Sequence, residues 1–372
     1  MDSKKFVRFG VQALACPNFG RQPKGCTPNL IRHSPLKGNW SMDTLLETNL
    51  RGQLRDRRQR LESVISEVGD AADLVRLLQE VDAALDRLEK KSYGLCNVCN
   101  LAIEEEFLLA NPLVQYCLCE LSPEQQRALE DDLGLASRVQ WALLPPQNVS
   151  FAGWEVHFRY APAGPVSGDY CDAVTGESDG GELFLAVGDV SGKGVAASLF
   201  MARLNALFRA LIQTEVSVQQ LVERANSLLS ESRLPSQYAT LAGALARADG
   251  VIEICNAGHC PPLLLRQGKV APVESGGFPL GLFKHEPYEV QQFQLSPGDL
   301  LFFYTDGLSE ARNRSGAEYG TERICNLLHR GSALTPQALG ASCLQDLQAF
   351  LSGAPRTDDM TLMIVRRAPD SL

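Results

Sequence analysis

At Pro145-Pro146 the hydrophobic pattern of this chain changes period, and that change divides what it can fold into. Before the prolines, Leu45, Leu46, Leu50, Leu54, Leu61 and Ile65 recur at spacings of three, four and seven. Leu74, Leu77, Leu78, Val81, Leu85 and Leu88 form a second series of the same kind. Both are the repeat of a helix that buries one face. Gly69 and Asp70 lie between them, so the expected shape is an antiparallel helical hairpin. Residues 122–144 make a further helix, with Ser122 as N-cap, Pro123 at the first position and Gln125 in the first turn.

After the prolines, short β-rich runs alternate with turns, at residues 154–160, 183–187, 238–245, 251–256, 262–265, 290–295, 300–304 and 361–365. Helical patterns occupy 196–212, 218–232, 317–330 and 336–351. Strands in number with helices grouped in pairs predict an α+β fold of stacked layers rather than βαβ alternation. The domain reading is therefore a basic arm at 1–41, a helical hairpin with a cysteine-bearing finger at 42–121, a linker helix at 122–146 and a larger unit at 147–368.

The arm carries Lys4, Lys5, Arg8, Arg21, Lys24, Arg32 and Lys37 against the single acid Asp2. It has no sustained periodicity and is expected to be poorly ordered. Pro17, Pro23, Pro28 and Pro35 would break an amphipathic transit helix, and Met42 is an alternative start. The chain as a whole has 44 acidic against 35 basic residues, a formal net charge of -9. That balance argues against electrostatic adhesion to nucleic acid or an anionic membrane. Its longest apolar runs fall far short of the ~20 residues that cross a bilayer, so no membrane contact is expected.

Eleven cysteines, with no charged start leading into an apolar segment, point to a reducing, cytoplasmic setting. Four of them are clustered. Cys96-x2-Cys99, seventeen residues, then Cys117-x-Cys119 offers the four thiolates of a tetrahedral structural zinc; unligated core cysteines are the alternative. Cys16, Cys26, Cys171, Cys255, Cys260, Cys325 and Cys343 are scattered and read as small buried hydrophobes. With Ala84-Leu85-Asp86-Arg87-Leu88-Glu89-Lys90 and Tyr93-Gly94-Leu95-Cys96-Asn97-Val98-Cys99, residues 45–120 resemble the DksA/TraR zinc-finger family. Glu120 stands where that family has its last cysteine. The resemblance implies a hairpin that can reach RNA polymerase with an acidic tip, for which Asp70-Ala71-Ala72-Asp73-Leu74-Val75 is the counterpart. A plain helix N-cap explains the same aspartates and is the preferred reading.

Four acidic motifs stand at strand ends or tight turns of the larger unit: Ser167-Gly168-Asp169-Tyr170-Cys171-Asp172, Gly188-Asp189-Val190-Ser191-Gly192-Lys193-Gly194, Tyr304-Thr305-Asp306-Gly307 and Thr357-Asp358-Asp359-Met360-Thr361. One Asp-Gly turn is commonplace. Carboxylates converging from several strand ends repel one another unless a multivalent cation neutralises them. An all-oxygen donor set suits two Mg2+ or Mn2+ ions.

These motifs resemble the metal-dependent protein serine/threonine phosphatases of the SpoIIE/RsbU type. Further likeness lies in Val139-Gln140-Trp141-Ala142-Leu143-Leu144-Pro145, Asn256-Ala257-Gly258-His259-Cys260-Pro261-Pro262, Pro279-Leu280-Gly281, Pro297-Gly298-Asp299-Leu300-Leu301 and Asp306-Gly307-Leu308-Ser309-Glu310-Ala311. The resemblance implies a β-sandwich flanked by helix pairs. It implies Asp189 bridging two metals, the Val190 carbonyl completing one, and Asp169, Asp306 and Asp358 as the other ligands, with Asp172 and Asp359 weaker candidates. It implies attack of metal-activated water on a phosphoserine or phosphothreonine of a regulatory protein, in this family an anti-sigma-factor antagonist. The apolar face of the linker helix is a candidate homodimer surface that would pass a signal to the site; simple packing is the alternative.

Two other nucleotide or phosphate motifs fail on physical grounds. His259-Cys260-x5-Arg266 matches the cysteine phosphatases, but Pro261 and Pro262 lack the amides that loop must turn onto phosphate. Residues 188–193 have three residues between glycines where a P-loop has four, and Gly194 where it has Ser or Thr. The rival that stands is a non-enzymatic zinc-finger regulator of RNA polymerase with an inactive phosphatase fold.

Overall fold

The computed structural model describes residues 44–68, 72–97, 99, 101–103, 108, 111–117, 123–176, 181–214, 217–231, 237–274 and 276–368. The basic arm and the hairpin tip at Asp70 lie outside them. The chain divides into two compact units, residues 1–138 and 139–372.

In the first unit, α1 (Thr44–Val68) and α2 (Ala72–Glu89) form the expected hairpin. The face they share buries Leu50, Leu54 and Leu61 from one helix and Leu74, Val81, Ala84 and Leu88 from the other. Arg58 on α1 pairs with Asp82 on α2 at 2.8 Å. The buried stripe is narrower than the leucine count predicts, since Leu46, Ile65, Leu77, Leu78 and Leu85 are only half-buried. Beyond α2 the chain knots tightly: Cys96 N–H donates to the Leu101 carbonyl, Asn97 N–H to Gln115 and Ile103 N–H to Gly94. The Tyr93 hydroxyl donates to the Pro112 carbonyl at 2.6 Å inside this knot.

Helix α3 (Pro123–Leu143) runs across the division between the units. The second unit then lays down β1 (Asn148–Phe151), β2 (Trp154–Ala161), β3 (Asp169–Thr175), β4 (Leu183–Val190), α4 (Gly194–Leu211), α5 (Val218–Ser230), β5 (Ala239–Ala246), β6 (Val251–Ala257), β7 (Leu263–Arg266), β8 (Lys269–Pro272), β9 (Val290–Gln294), β10 (Leu300–Tyr304), α6 (Asp306–Ser309), α7 (Thr321–Arg330), α8 (Pro336–Leu351) and β11 (Met360–Arg367). Two antiparallel sheets result, one ordered β1-β2-β11-β10-β7-β8 and the other β3-β4-β5-β6-β9.

Side-chain alternation along the strands sorts the core into three layers. Leu183, Leu185 and Val187 of β4 face Phe158, Leu301, Phe303, Met363 and Val365 of the other sheet and fill the space between the sheets. Phe184 and Ala186 point the other way, onto Phe200, Met201, Leu204 and Phe208 of α4 and onto α5. Phe302, Tyr304, Leu362 and Ile364 face α7 and α8. The stack is helices, sheet, sheet, helices, an α+β fold of the expected class. Helix α4 is long and apolar enough by composition to cross a membrane, but Phe200, Met201, Leu204, Phe208 and Leu211 are buried in the core, while Leu199 is exposed.

Three strands were not anticipated, β1, β3 and β8, because each is short or interrupted by polar residues. Helix α7 begins at Thr321 rather than 317. Arg312 and Glu318 form an antiparallel bridge, the Tyr319 amide donates to the Ala311 carbonyl and Gly320 takes a φ of 78°, so residues 317–320 are committed to a turn before the helix begins. Among the scattered cysteines, Cys171, Cys255 and Cys343 are buried as expected, whereas Cys260 and Cys325 are half-buried.

Candidate active site

Alternation also decides which acids meet. On β3, Tyr170 packs toward α4 and Cys171 toward the facing sheet, so Asp169 shares the inner face with Cys171 and Asp172 shares the outer face with Tyr170. On β4, Val187 is inward, which makes Asp189 inward as well; Asp169 and Asp189 are register partners across the strand pair. On the second sheet, β10 ends at Tyr304 and β11 begins at Met360, with Tyr304 opposite Leu362. Thr305 and Thr361 are the inward residues there, and Asp306, Asp358 and Asp359 adjoin them. The inner layer of the sandwich therefore changes from aliphatic to acidic at one rim.

Hydrogen bonds tie the two sheets together at that rim. The Thr305 and Thr361 hydroxyls both donate to Asp169 Oδ2, at 3.0 and 2.6 Å. The Thr361 amide donates to Thr305 Oγ1 at 2.9 Å and the Thr305 amide to the Thr361 carbonyl at 3.0 Å. A β-carbon on Gly307 would collide with the Asp359 carbonyl oxygen, so only glycine lets the turn after Asp306 lie against the Asp358-Asp359 backbone. A β-carbon on Gly168 would sit 3.1 Å from the Val190 carbonyl oxygen and 3.4 Å from Asp189 Oδ1, bringing that carbonyl into the same locality.

The loop before β3 is held by Asp359, whose two oxygens accept the Ala163 amide at 2.7 Å and the Gly168 amide at 3.0 Å. Behind β4, the Thr240 hydroxyl lies 3.3 Å from the Asp189 carbonyl oxygen and 2.8 Å from His259 Nδ1. Asn256 closes the turn that places His259, accepting its amide at 2.7 Å and donating to its carbonyl at 3.0 Å. Burial pushes the His259 pKa down to about 4, so the imidazole is neutral at pH 7. Thus residues 256–259, singled out in the sequence, support Asp189 from behind and do not supply an acid.

The acids oppose one another. Burial, then the charges of Asp306, Asp169, Asp358 and Asp359, raise the Asp189 carboxyl well above the ordinary carboxylate range. Asp169 is raised in the same way, by burial and then by Asp359, Asp306 and Asp358, against the pull of the Thr361 hydroxyl. Lys193 is set against this charge: its ammonium donates to the Thr357 carbonyl at 2.8 Å and lies 2.9 Å from Asp358 Oδ1. Burial works against that ammonium, but Asp358 and the neighbouring acids outweigh it and raise its pKa. The Lys193 ammonium, together with the Arg356 guanidinium that interacts with Asp359, does not balance this many carboxylates. A mutually repelling, all-oxygen donor set of Asp169, Asp189, Asp306, Asp358 and the Val190 carbonyl fits Mg2+ or Mn2+.

Asp172 belongs elsewhere. It is fully buried on the outer face, where Arg209 of α4 grips both its oxygens at 2.9 Å and Asn205 donates to Oδ2 at 3.0 Å. Its role is to fasten α4 to β3. Of the four clustered cysteines, the sulfurs of Cys96, Cys99 and Cys117 lie within 4.8 Å of one another, with Cys99 and Cys117 at 3.3 Å. Cys119 lies outside the described residues. Sequence reasoning gave no role to Thr305, Thr361 or Lys193. The available signal for the threonines was a hydroxyl at an inward strand position otherwise filled by Leu, Phe or Met.

A family profile described as Stage II sporulation protein E (SpoIIE) matches residues 179–368, about half of the chain. The chain belongs to the SpoIIE family. The match begins after Asp169, so that acid is tied to the family span by its pairing with Asp189. Protein IcfG of Synechocystis is 25% identical over 265 residues, which is 63% of this chain but only 41% of that protein. Phosphoserine phosphatase RsbU of Bacillus subtilis is 24% identical over 245 residues, 65% of this chain and 72% of RsbU. Among solved structures, the RsbU and RsbW domains of a Mycobacterium tuberculosis protein align with a TM-score of 0.51 at 28% identity, over 62% of this chain and 63% of that one. The SiaA-PP2C domain of Pseudomonas aeruginosa aligns with a TM-score of 0.56 at 18% identity, over 65% of this chain and 98% of that domain. The fold of this SpoIIE-family unit is that of the PP2C type.

Repulsion among the rim acids carries a stability cost. In chelator at pH 7, Asp189→Asn should therefore be more stable than the wild type, by roughly 0.5–2 kcal/mol, as expected when a strained site is relieved. The urea midpoint checks this, and a lower midpoint in the variant would count against mutual repulsion.

Proposed function

We propose that the C-terminal unit is a Mg2+- or Mn2+-dependent protein serine/threonine phosphatase. The observation that carries this reading is the convergence of Asp169, Asp189, Asp306 and Asp358 at one rim of the sandwich, where burial and the neighbouring acids drive the Asp169 and Asp189 carboxyls well above the ordinary carboxylate range. Cations held by these residues and the Val190 carbonyl would acidify a water and draw charge from the phosphoryl oxygens. The reaction is hydrolysis: a water oxygen joins phosphorus, the bond from phosphorus to the serine or threonine oxygen breaks, and that oxygen leaves as the alcohol. The protein's own part is orientation. Two threonine hydroxyls occupy one oxygen of Asp169 and leave the other to the site; Asp359 fixes the loop before β3; Lys193 fixes the segment that carries Asp358. The substrate we infer is a phosphorylated regulatory protein of the anti-sigma-factor-antagonist class, a reading supported by similarity to the phosphoserine phosphatase RsbU.

For the first unit we infer a structural zinc held by Cys96, Cys99 and Cys117, with Cys119 the natural fourth ligand. Three thiols within 4.8 Å of one another, two of them buried, support it. The exposed Leu135 and Val139 on α3 support a homodimer through that helix, and unbridged thiols at Cys171, Cys255, Cys325 and Cys343 support a cytoplasmic setting.

The activity is tested by release of phosphate from a phosphoserine peptide with Mn2+. Wild type should turn over, EDTA should stop it, and Asp189→Asn should lose at least 100-fold; equal rates for the two proteins would sink the assignment. Metal analysis of the full chain purified without chelator should find about one zinc per chain, and Cys99→Ser should lose it. A zinc-free wild type that keeps its helical hairpin would rule the zinc out.

A further inference from the structure

The segment Val139-Gln140-Trp141-Ala142-Leu143-Leu144-Pro145 stood out in the sequence, yet the proposed chemistry gives it no work. In the structure, its polar side chain is buried: Gln140 is 5% exposed and Ser167, which it touches, is fully buried. The Gln140 carboxamide spans the backbone of that one residue. Its nitrogen donates to the Ser167 carbonyl at 2.7 Å and its oxygen accepts the Ser167 amide at 2.9 Å. Glutamine is the side chain that meets both demands at this reach. Glutamate lacks the donor, and methionine, of similar length, lacks both partners.

Ser167 lies two residues before Asp169, and the two are linked again: the Asp169 amide donates to Ser167 Oγ at 3.0 Å. On the far side of Asp169 the same helix end makes a second attachment. The Leu143 carbonyl accepts from Asn205 Nδ2 at 3.2 Å, and that nitrogen also donates to Asp172 Oδ2 at 3.0 Å. Trp141 meets Tyr160 edge-on at 5.4 Å, on the strand that leads into the loop. The last turn of α3 therefore holds the chain at 160, at 167 and, through Asn205, at 172. Asp169 sits inside that bracket.

We propose that Gln140 is a positioning residue for the metal site: its carboxamide sets the backbone at Ser167 and so the placement of the Asp169 carboxylate. The proposal rests on the metal-dependent reading above. Because α3 also runs through the first unit, the residue that sets Asp169 sits on the one described helix the two units share. Partners of this kind, one step removed from a metal, typically change metal affinity 10–100-fold when lost.

The test uses the full chain with Gln140→Met, Gln140→Glu and the exposed control Arg138→Ala. Mn2+ binding is followed by calorimetry, and exchange of the backbone amides at 162–170 by mass spectrometry. Gln140→Met should bind Mn2+ 10–100-fold more weakly and exchange faster at 162–170. Gln140→Glu, which keeps the acceptor for the Ser167 amide, should fall between it and the wild type, and Arg138→Ala should match the wild type. Mn2+ affinity unchanged in Gln140→Met would overturn the proposal, as would a wild type that binds no Mn2+. If Gln140→Met does not fold, Gln140→Glu decides: wild-type affinity there overturns the proposal and weakened affinity supports it. A wild type that binds Mn2+ without hydrolysing phosphopeptide would refute the phosphatase reading, and the affinity comparison would still decide the role of Gln140.

Discussion

Two carboxylates in register on paired strands, Asp169 and Asp189, are a poor thing for a sheet to bury, and much of the second unit is organised around tolerating them. Like charges directly opposite on neighbouring strands destabilise the pair. Here the cost is deepened by Asp306 and Asp358 arriving from the other sheet. The compensations are local and specific. Two hydroxyls bond to one oxygen of Asp169, backbone amides bond to both oxygens of Asp359, and an ammonium is drawn to Asp358. None of these removes the negative charge, and a divalent cation would.

The sandwich supplies what such a site needs and a loop could not. Inward side chains from two sheets meet along a line, so acids at the strand ends converge without any long excursion of the chain. The opposite faces are committed to helices: α4 and α5 behind Asp189, α7 and α8 behind Thr305 and Thr361. Each acid is thus backed by close-packed core, which keeps it from relaxing away from its neighbours. The helical unit before Pro145 has a different construction, one buried stripe per helix and a cysteine knot, and α3 belongs to both.

Much of this was legible in the sequence. The change of period at Pro145-Pro146, the helical hairpin and the four acidic motifs all follow from residue type and spacing. The limits were physical as well. Asp169 and Asp172 are equally acidic in sequence, and only the face each takes on β3 separates a site residue from a helix clasp. That face could not be assigned because β3 itself was masked by its acids. Gln140 and Lys193 lie inside recognisable motifs, but their partners, Ser167 and Asp358, are 27 and 165 positions away, beyond any local pattern. Helix α7 starts later than its pattern suggests because Glu318 bridges to Arg312, Tyr319 bonds back to Ala311 and Gly320 sits at positive φ, partners no local pattern reveals.

The central claim is that these acids come together to hold divalent cations. Diffraction from Mn2+-soaked crystals of the full chain, recorded at the manganese absorption edge, tests it most directly. The account predicts strong anomalous peaks among Asp169, Asp189, Asp306, Asp358 and the Val190 carbonyl. Manganese bound elsewhere, with that rim left unoccupied at saturating Mn2+, would contradict it.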